Sequence, residues 1–308
     1  MIGTHTFAKP ALARGALLTL LWVGLAPAAD DPVPAAGAHG MTREQFEQSL
    51  HYQDGAIKLK GGLATLQLPS QFRYLNADDT ARVLTEAWGN PRGNDTLGMI
   101  VPKASGAVGE HAWGVIVTYE EDGYVSDKDA DSIKYDELLE QMRAGGKAIN
   151  EERAKQGFAP IELVGWAEPP HYDAANHKLF WAKEIKFGSD ASHTLNYNIR
   201  VLGRRGVLVL NAVAAMDQLP VIREQTPAIL AATDFDPGSS YTDFNGDTDK
   251  VAAYGLAALV AGGIAAKTGL IAKLVALALA GKKVLGAILV ALWVGLRKLF
   301  QRRQARDA

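Results

Sequence analysis

Lys178-Leu-Phe-Trp-Ala-Lys-Glu-Ile-Lys-Phe187, His193-Thr-Leu-Asn-Tyr-Asn-Ile-Arg-Val201 and Val207-Leu-Val-Leu-Asn-Ala-Val-Ala214 are the runs that decide the fold. In the first, Leu179, Trp181 and Ile185 fall at strand spacing, and in the second Leu195, Tyr197, Ile199 and Val201 do. Alternation with period two marks a strand with one buried face, whereas a run apolar on both faces, as in 207–214, marks a central strand. The links Gly188-Ser-Asp-Ala-Ser192 and Gly203-Arg-Arg-Gly206 are hairpin turns. Strands joined by hairpins are antiparallel, so these three form a meander.

Working outward, 217–232 reads as a helix that Pro227 should kink or restart. Upstream, Tyr135 to Gln156 is a helical stretch with a weak point at Gly145-Gly146 and a stop at Gly157. Leu97 to Val101 and Ala112 to Tyr119 read as strands, the second alternating Trp113, Val115, Val117 and Tyr119. Asn76 with Asp78 and Asp79 starts a helix that Trp88-Gly89-Asn90-Pro91 stops. Gly61-Gly62 is a two-residue hairpin loop that sets Leu59 opposite Ala64 and Ile57 opposite Leu66. Thr42-Arg-Glu-Gln45 is a capping box, with Phe46 and Leu50 at helical spacing after it. The expected fold is α+β, an antiparallel sheet covered by helices. Its element order resembles the PsbP-like αβα sandwich.

The two ends differ from this middle. Lys9 and Arg14 precede the apolar run Gly15–Leu25 and the small residues Ala26-Pro27-Ala28, the layout of a signal peptide spanning 1–28. Residues 29–40 are a linker without periodicity, and 41–250 are the domain that export places outside the cytoplasm. From Val251 to Leu296 there is no acidic residue, and 251–272 is long enough for one membrane span. Residues 273–308, with Arg297, Lys298, Arg302, Arg303 and Arg306, are expected as a basic amphipathic segment on the inner membrane surface. A second short span at 284–300 is the alternative. The layout points to a bacterial cytoplasmic membrane with the main domain on the periplasmic side.

Two Lys or Arg precede residue 29 and nine follow residue 250, which leaves 21 of the chain's 32 in residues 29–250 against 33 Asp and Glu, a formal charge of −12. A surface that acidic repels nucleic acid. There is no cysteine, which removes thiol nucleophiles, disulfides and thiolate metal sites. No cofactor is expected.

Several groups are candidate sites. Asp127, Asp129 and Asp131 alternate in a loop as calcium ligands do, but the calcium-loop template fails at Ser132 and Leu138, so solvated aspartates at the N-terminus of the following helix are the preferred reading. Asp243, Asn245, Asp247 and Asp249 form a second acidic group. Glu168, His171, His177 and His193 are the catalytic or metal-binding candidates, although Pro169-Pro170 forbids the helix that would align the first two. Arg200, Arg204 and Arg205 are the basic concentration, expected to pair with nearby carboxylates. Ala258, Gly262 and Ala266 repeat at four-residue spacing, a pattern by which a membrane helix self-associates into a homo-oligomer.

The strings Trp88-Gly-Asn-Pro91, Leu97-Gly-Met-Ile-Val-Pro102, Tyr119-Glu-Glu-Asp-Gly-Tyr-Val125, Val164-Gly-Trp-Ala-Glu-Pro-Pro170, Leu195-Asn-Tyr-Asn-Ile-Arg-Val-Leu-Gly-Arg204 and Asp249-Lys-Val-Ala-Ala-Tyr-Gly255 together resemble a bacterial family of membrane-anchored proteins, domain-of-unknown-function family 2167. The resemblance implies the same signal, domain and anchor, and no activity. No catalytic motif stands out, so the expected function is a non-catalytic envelope module that binds an unidentified protein or wall partner. An envelope hydrolase or metal-dependent enzyme using the Glu168 to His193 region is the alternative.

Overall fold

The structure, a computed structural model, describes residues 41–90, 95–109, 111–155, 157–189 and 191–262. The elements are α1 (Arg43–Gln48), β1 (Tyr52–Gln53), β2 (Ala56–Leu59), β3 (Ala64–Gln67), β4 (Phe72–Asn76), α2 (Ala77–Arg82), β5 (Gly98–Pro102), β6 (Gly114–Glu120), β7 (Tyr124–Ser126), α3 (Tyr135–Lys155), β8 (Ile161–Asp173), β9 (Lys178–Phe187), β10 (His193–Leu202), β11 (Val207–Ala215), α4 (Leu219–Ala231), β12 (Thr233–Phe235), β13 (Val251–Gly255) and α5 (Leu256–Ala261).

Eight strands form one sheet in the order β1-β4-β5-β6-β11-β10-β9-β8, and every pairing in it is antiparallel. The expected meander is therefore present, with β8 added at its edge. β11 lies inside the sheet between β6 and β10, as its apolar composition requires.

Both faces of the sheet are covered. On the first face, Val115, Val117, Leu195, Tyr197, Ile199, Leu208 and Leu210 pack against Ile222 and Ile229 of α4 and against a small sheet, β12-β3-β2. On the second face there are two cores. Leu75, Met99, Val101 and Val213 meet Phe46, Val83, Leu84 and Trp88, while Leu179, Trp181, Leu202, Val207 and Val209 meet Val125, Leu138, Tyr241 and the α5 residues Leu256, Leu259 and Val260.

Local signals mostly hold. Thr42 and Gln45 complete the capping box, and Asn76 caps α2 by accepting the Asp79 N–H. The β2–β3 register is the expected one, Ile57 opposite Leu66 and Leu59 opposite Ala64, but the turn runs over four residues, 60–63, rather than two. Its Gly62 and Leu63 N–H groups both donate to the Leu59 carbonyl. α3 passes through Gly145-Gly146 unbroken. It is a polar helix for a specific reason: it runs beside the free edge of β8. There the Asn150 amide pairs with both the N–H and the carbonyl of Ile161, at 2.8 and 2.9 Å, and the Arg143 guanidinium donates to the Leu163 and Val164 carbonyls. An edge strand capped by side-chain amides cannot recruit another strand at that point.

The membrane span expected at 251–272 is corrected at its beginning. Residues 251–255 are a strand, β13, parallel to β7, with Val251 opposite Tyr124 and Gly255 opposite Ser126. α5 follows and ends at Gly262, whose φ of 89° is left-handed and closes the helix. The reason is burial: Leu256, Leu259 and Val260 are at most 2 % exposed within the domain. Three such side chains contribute about 1.5–3 kcal/mol each, enough to hold the segment in the core. The domain boundary therefore moves from 250 to 262. No helix among the described residues is long and apolar enough to cross a membrane. The signal peptide, the linker, the rest of the 251–272 span, the basic segment 273–308 and the alternative span 284–300 lie outside the described residues.

Candidate functional site

The second face of the sheet carries polar groups between its two apolar cores. Strand alternation puts Asn196, Asn198 and Arg200 of β10 on the side opposite Leu195, Tyr197 and Ile199, where they are no more than 8 % exposed. Register then fixes their neighbours. Asn196 lies opposite Lys183 and Val213, Asn198 opposite Trp181 and Asn211, Arg200 opposite Leu179 and Val209, and Trp166 opposite Lys183. The three asparagines satisfy one another: Asn196 donates to Asn211 at 2.8 Å, and Asn198 donates to the Asn196 side chain at 2.9 Å.

The cations beside them are less well provided for among the described residues. Lys183 is 8 % exposed and makes neither a hydrogen bond nor an ion pair among the described residues. Burial, with the nearby Arg200 charge, pushes its ammonium down to about 8. Lys178, on the same strand and equally buried, shows the usual solution, since its ammonium donates to the Leu230 carbonyl at 2.7 Å and to Asp234 at 2.9 Å. Arg200 stacks over Trp181 at 5.0 Å and donates to the Ile199 carbonyl at 3.1 Å; the Glu120 carboxylate acts on its charge, but no carboxylate among the described residues meets it at ion-pair distance. The indole N–H groups of Trp166 and Trp181 and the Thr118 hydroxyl are buried without partners. Buried polar groups are normally paired, so a concentration of unpaired donors is informative. Thr118 and Asn211, on the same face, are partly exposed as residues.

The catalytic candidates do not converge. Glu168 accepts from Arg223 at 3.0 Å and from the Tyr197 hydroxyl at 3.3 Å. His193 pairs with Glu184, and His171 is exposed, its ring 5.1 Å from that of Phe180. Register places these three on the first face, each in its own row. His177 belongs to the second face: its ring lies 4.1 Å from that of Tyr241 and its Nδ1 is 3.3 Å from the Tyr172 hydroxyl and 3.6 Å from Asp127. Pro169-Pro170 explains the separation. The prolines lie in an edge strand with irregular register, which spreads the residues along β8 instead of turning them to one point. Among the described residues, no group of three or more acidic or histidine side chains is placed to hold a metal ion.

The aspartates have separate tasks. Asp127 accepts the Tyr172 hydroxyl at 2.7 Å. Burial pulls its carboxyl up, and the Tyr172 and Tyr241 hydroxyls more than offset this, so it is held below its ordinary range. Asp129 caps α5, taking the Leu256 N–H at 3.0 Å and the Ala257 N–H at 3.2 Å, and not the helix that follows it in sequence. A Cβ on Gly255 would stand 2.6 Å from that carboxylate, so this close approach requires glycine. Asp131 is exposed. In the second acidic group, Asp249 takes Arg204 in a bidentate pair at 2.7 and 3.1 Å, as expected for that arginine. Arg205 instead lines an open hollow with Lys60, Tyr119 and Glu121, and Arg200 is buried, so the three arginines form no cluster.

The expected self-association stripe lies only partly within the described residues. Ala258 is in α5, Gly262 is the residue that ends it, and Ala266 lies outside the described residues, so the first two do not continue along one helix face.

Fold and site together define an α+β sandwich domain, one antiparallel sheet between two covers, with a donor-lined patch on one face. The chain belongs to the family described as protein of unknown function, DUF2167, whose model matches residues 51–293. No curated protein matches it. Solved structures similar to it include a cyanobacterial PsbP from Synechocystis, at 10 % identity over 60 % of this chain and 92 % of that one, with a TM-score of 0.34. LpqN, involved in cell envelope biogenesis of Mycobacterium tuberculosis, matches at 14 % identity over 64 % and 98 %, TM-score 0.31. The Saccharomyces cerevisiae Ran-binding protein Mog1p matches at 11 % over 60 % and 96 %, TM-score 0.32. Likeness at this level concerns element order and carries nothing about partners.

Proposed function

We infer that the protein is a non-catalytic binding module held at the outer face of a bacterial cytoplasmic membrane. The observation that carries the binding role is the second sheet face, where Lys183 and two indole N–H groups are buried without hydrogen-bond partners among the described residues. Recognition of an electron-rich group needs only such donors. The groups that suggested an enzyme, Glu168, His177 and His193, are each engaged in pairs that brace the fold.

Anchoring is supported by the sequence beyond the domain. Residues 263–296 contain no acidic residue, and the family match continues to residue 293. An anchor that begins after Gly262 would leave the acidic domain outside and the arginine-rich tail inside, the arrangement the positive-inside rule prefers. The test is in-cell photo-crosslinking from position 118, a part-exposed position on that face. A specific envelope component should be captured there and lost from a reporter position on the far side, such as Val221. If the purified protein instead consumes an envelope substrate, and Glu168→Gln abolishes that turnover, the module is an enzyme and this reading fails.

A further inference from the structure

Resting on that reading, we propose that the face around Lys183 and Arg200 binds the anionic oxygen group of a small molecule, a carboxylate or a phosphate. Among the described residues Lys183 Nζ has no hydrogen-bond partner, Arg200 has one backbone carbonyl, and the Trp166 and Trp181 indole N–H groups have none. These four are donors, two of them cations, and the Glu120 carboxylate acts on Arg200 from beyond ion-pair distance. Register holds them on one face: Trp166 lies across from Lys183, Trp181 is two residues further along the same strand, and Arg200 stacks on Trp181.

An unpaired buried cation is costly, and nearby Lys178 shows that this fold can pair one with a carboxylate. The Lys183 position is therefore one where the chain lacks an acceptor that a ligand can bring. An oxyanion supplies acceptors for ammonium, guanidinium and indole donors at once, and charge-assisted bonds of this kind are the strong ones. The asparagine chain braces the strands beside Lys183, and Trp166, across from it on β8, is part-exposed. Size follows from charge. A domain carrying −12 repels a polyanion or an anionic lipid surface, but a single group can pass to a local pair of cations.

The test uses the full chain in detergent, titrated with sodium phosphate and separately with sodium acetate, against sodium chloride at matched ionic strength. One of the two oxyanions should raise the melting temperature saturably, by about 5–10 °C near 100 times its dissociation constant, and should change tryptophan fluorescence with the same midpoint. The arm that responds identifies the group. Lys183→Met should melt higher than the wild type in plain buffer and lose the anion response, a combination that a bracing lysine would not give. No response beyond that to chloride, or a full response kept by Lys183→Met, overturns the proposal. Should that variant not fold, the wild-type fluorescence titration decides alone, and a flat trace refutes it. Loss of the anion response with envelope crosslinking intact would remove this inference and leave the binding module standing.

Discussion

Replacing Lys183 by Met should make the protein more stable at neutral pH and should erase a pH dependence that the wild type shows. Burial, with the nearby Arg200 charge, pushes the ammonium down to about 8 in the folded chain, from the ordinary 10.5 of a solvated lysine. Below pH 8 both states hold the proton and the folded state bears the whole desolvation cost. Between pH 8 and 10.5 the unfolded state binds more protons, so wild-type stability rises with pH through that window. At roughly 1.4 kcal/mol per pH unit the total is about 3 kcal/mol. The tyrosines complicate a single curve: burial pushes Tyr74 and Tyr197 far above their ordinary range, so above pH 10 they act in the opposite sense. The variant shares these tyrosines, so the difference between the two proteins isolates Lys183. The assay is urea unfolding of both proteins in detergent at pH 7 and at pH 10, without added oxyanion. Lys183→Met should be ahead by about 2–3 kcal/mol at pH 7, and most of that gap should close by pH 10. A variant less stable at pH 7, or a gap unchanged at pH 10, would show that the ammonium is well solvated or paired and would refute the reasoning.

Asp129→Ala should free α5 at a cost of about 1–2 kcal/mol, read as faster amide exchange confined to residues 251–262, whereas unchanged exchange there would rule out the cap. Asn150→Ala removes both partners of the Ile161 backbone and uncovers part of the β8 edge. The expected loss is about 1–2 kcal/mol, with increased light scattering on storage, and a variant as soluble and stable as the wild type would count against the edge-capping role of α3. For topology, a reporter fused after Gly262, where the domain is complete, should be active only outside the cytoplasm and one fused after Arg306 only inside. Activity of both on one side would contradict a single span.

Strand alternation around 178–214 and the hairpin links gave the antiparallel meander, because period two is a local property of the chain. Among the strands that escaped it, β8 and β4 did so for local reasons too. β8 hides its alternation behind bulges and two prolines, and Phe72-Arg-Tyr-Leu-Asn76 is too short to show a pattern distinct from the helix it enters. The apolar run from Val251 was ambiguous in principle. Such a run is equally a span or a segment of core, and only the partners of Leu256, Leu259 and Val260 separate the two.

By itself, then, the sequence determined what short-range physics controls: strand periodicity, helix caps, the β2–β3 register, the acidic middle and the basic end. Tertiary structure decided everything that depends on what lies across a gap in sequence. Asn196, Asn198 and Arg200 alternate with apolar residues and read as a solvated face, yet they are buried because this sheet is covered on both sides. Asp129 caps a helix 127 residues away, and His177 meets Asp127 rather than His193. Whether a polar side chain ends as a solvated surface, a brace or an unpaired donor depends on the elements packed over it, and those arrive from distant parts of the chain.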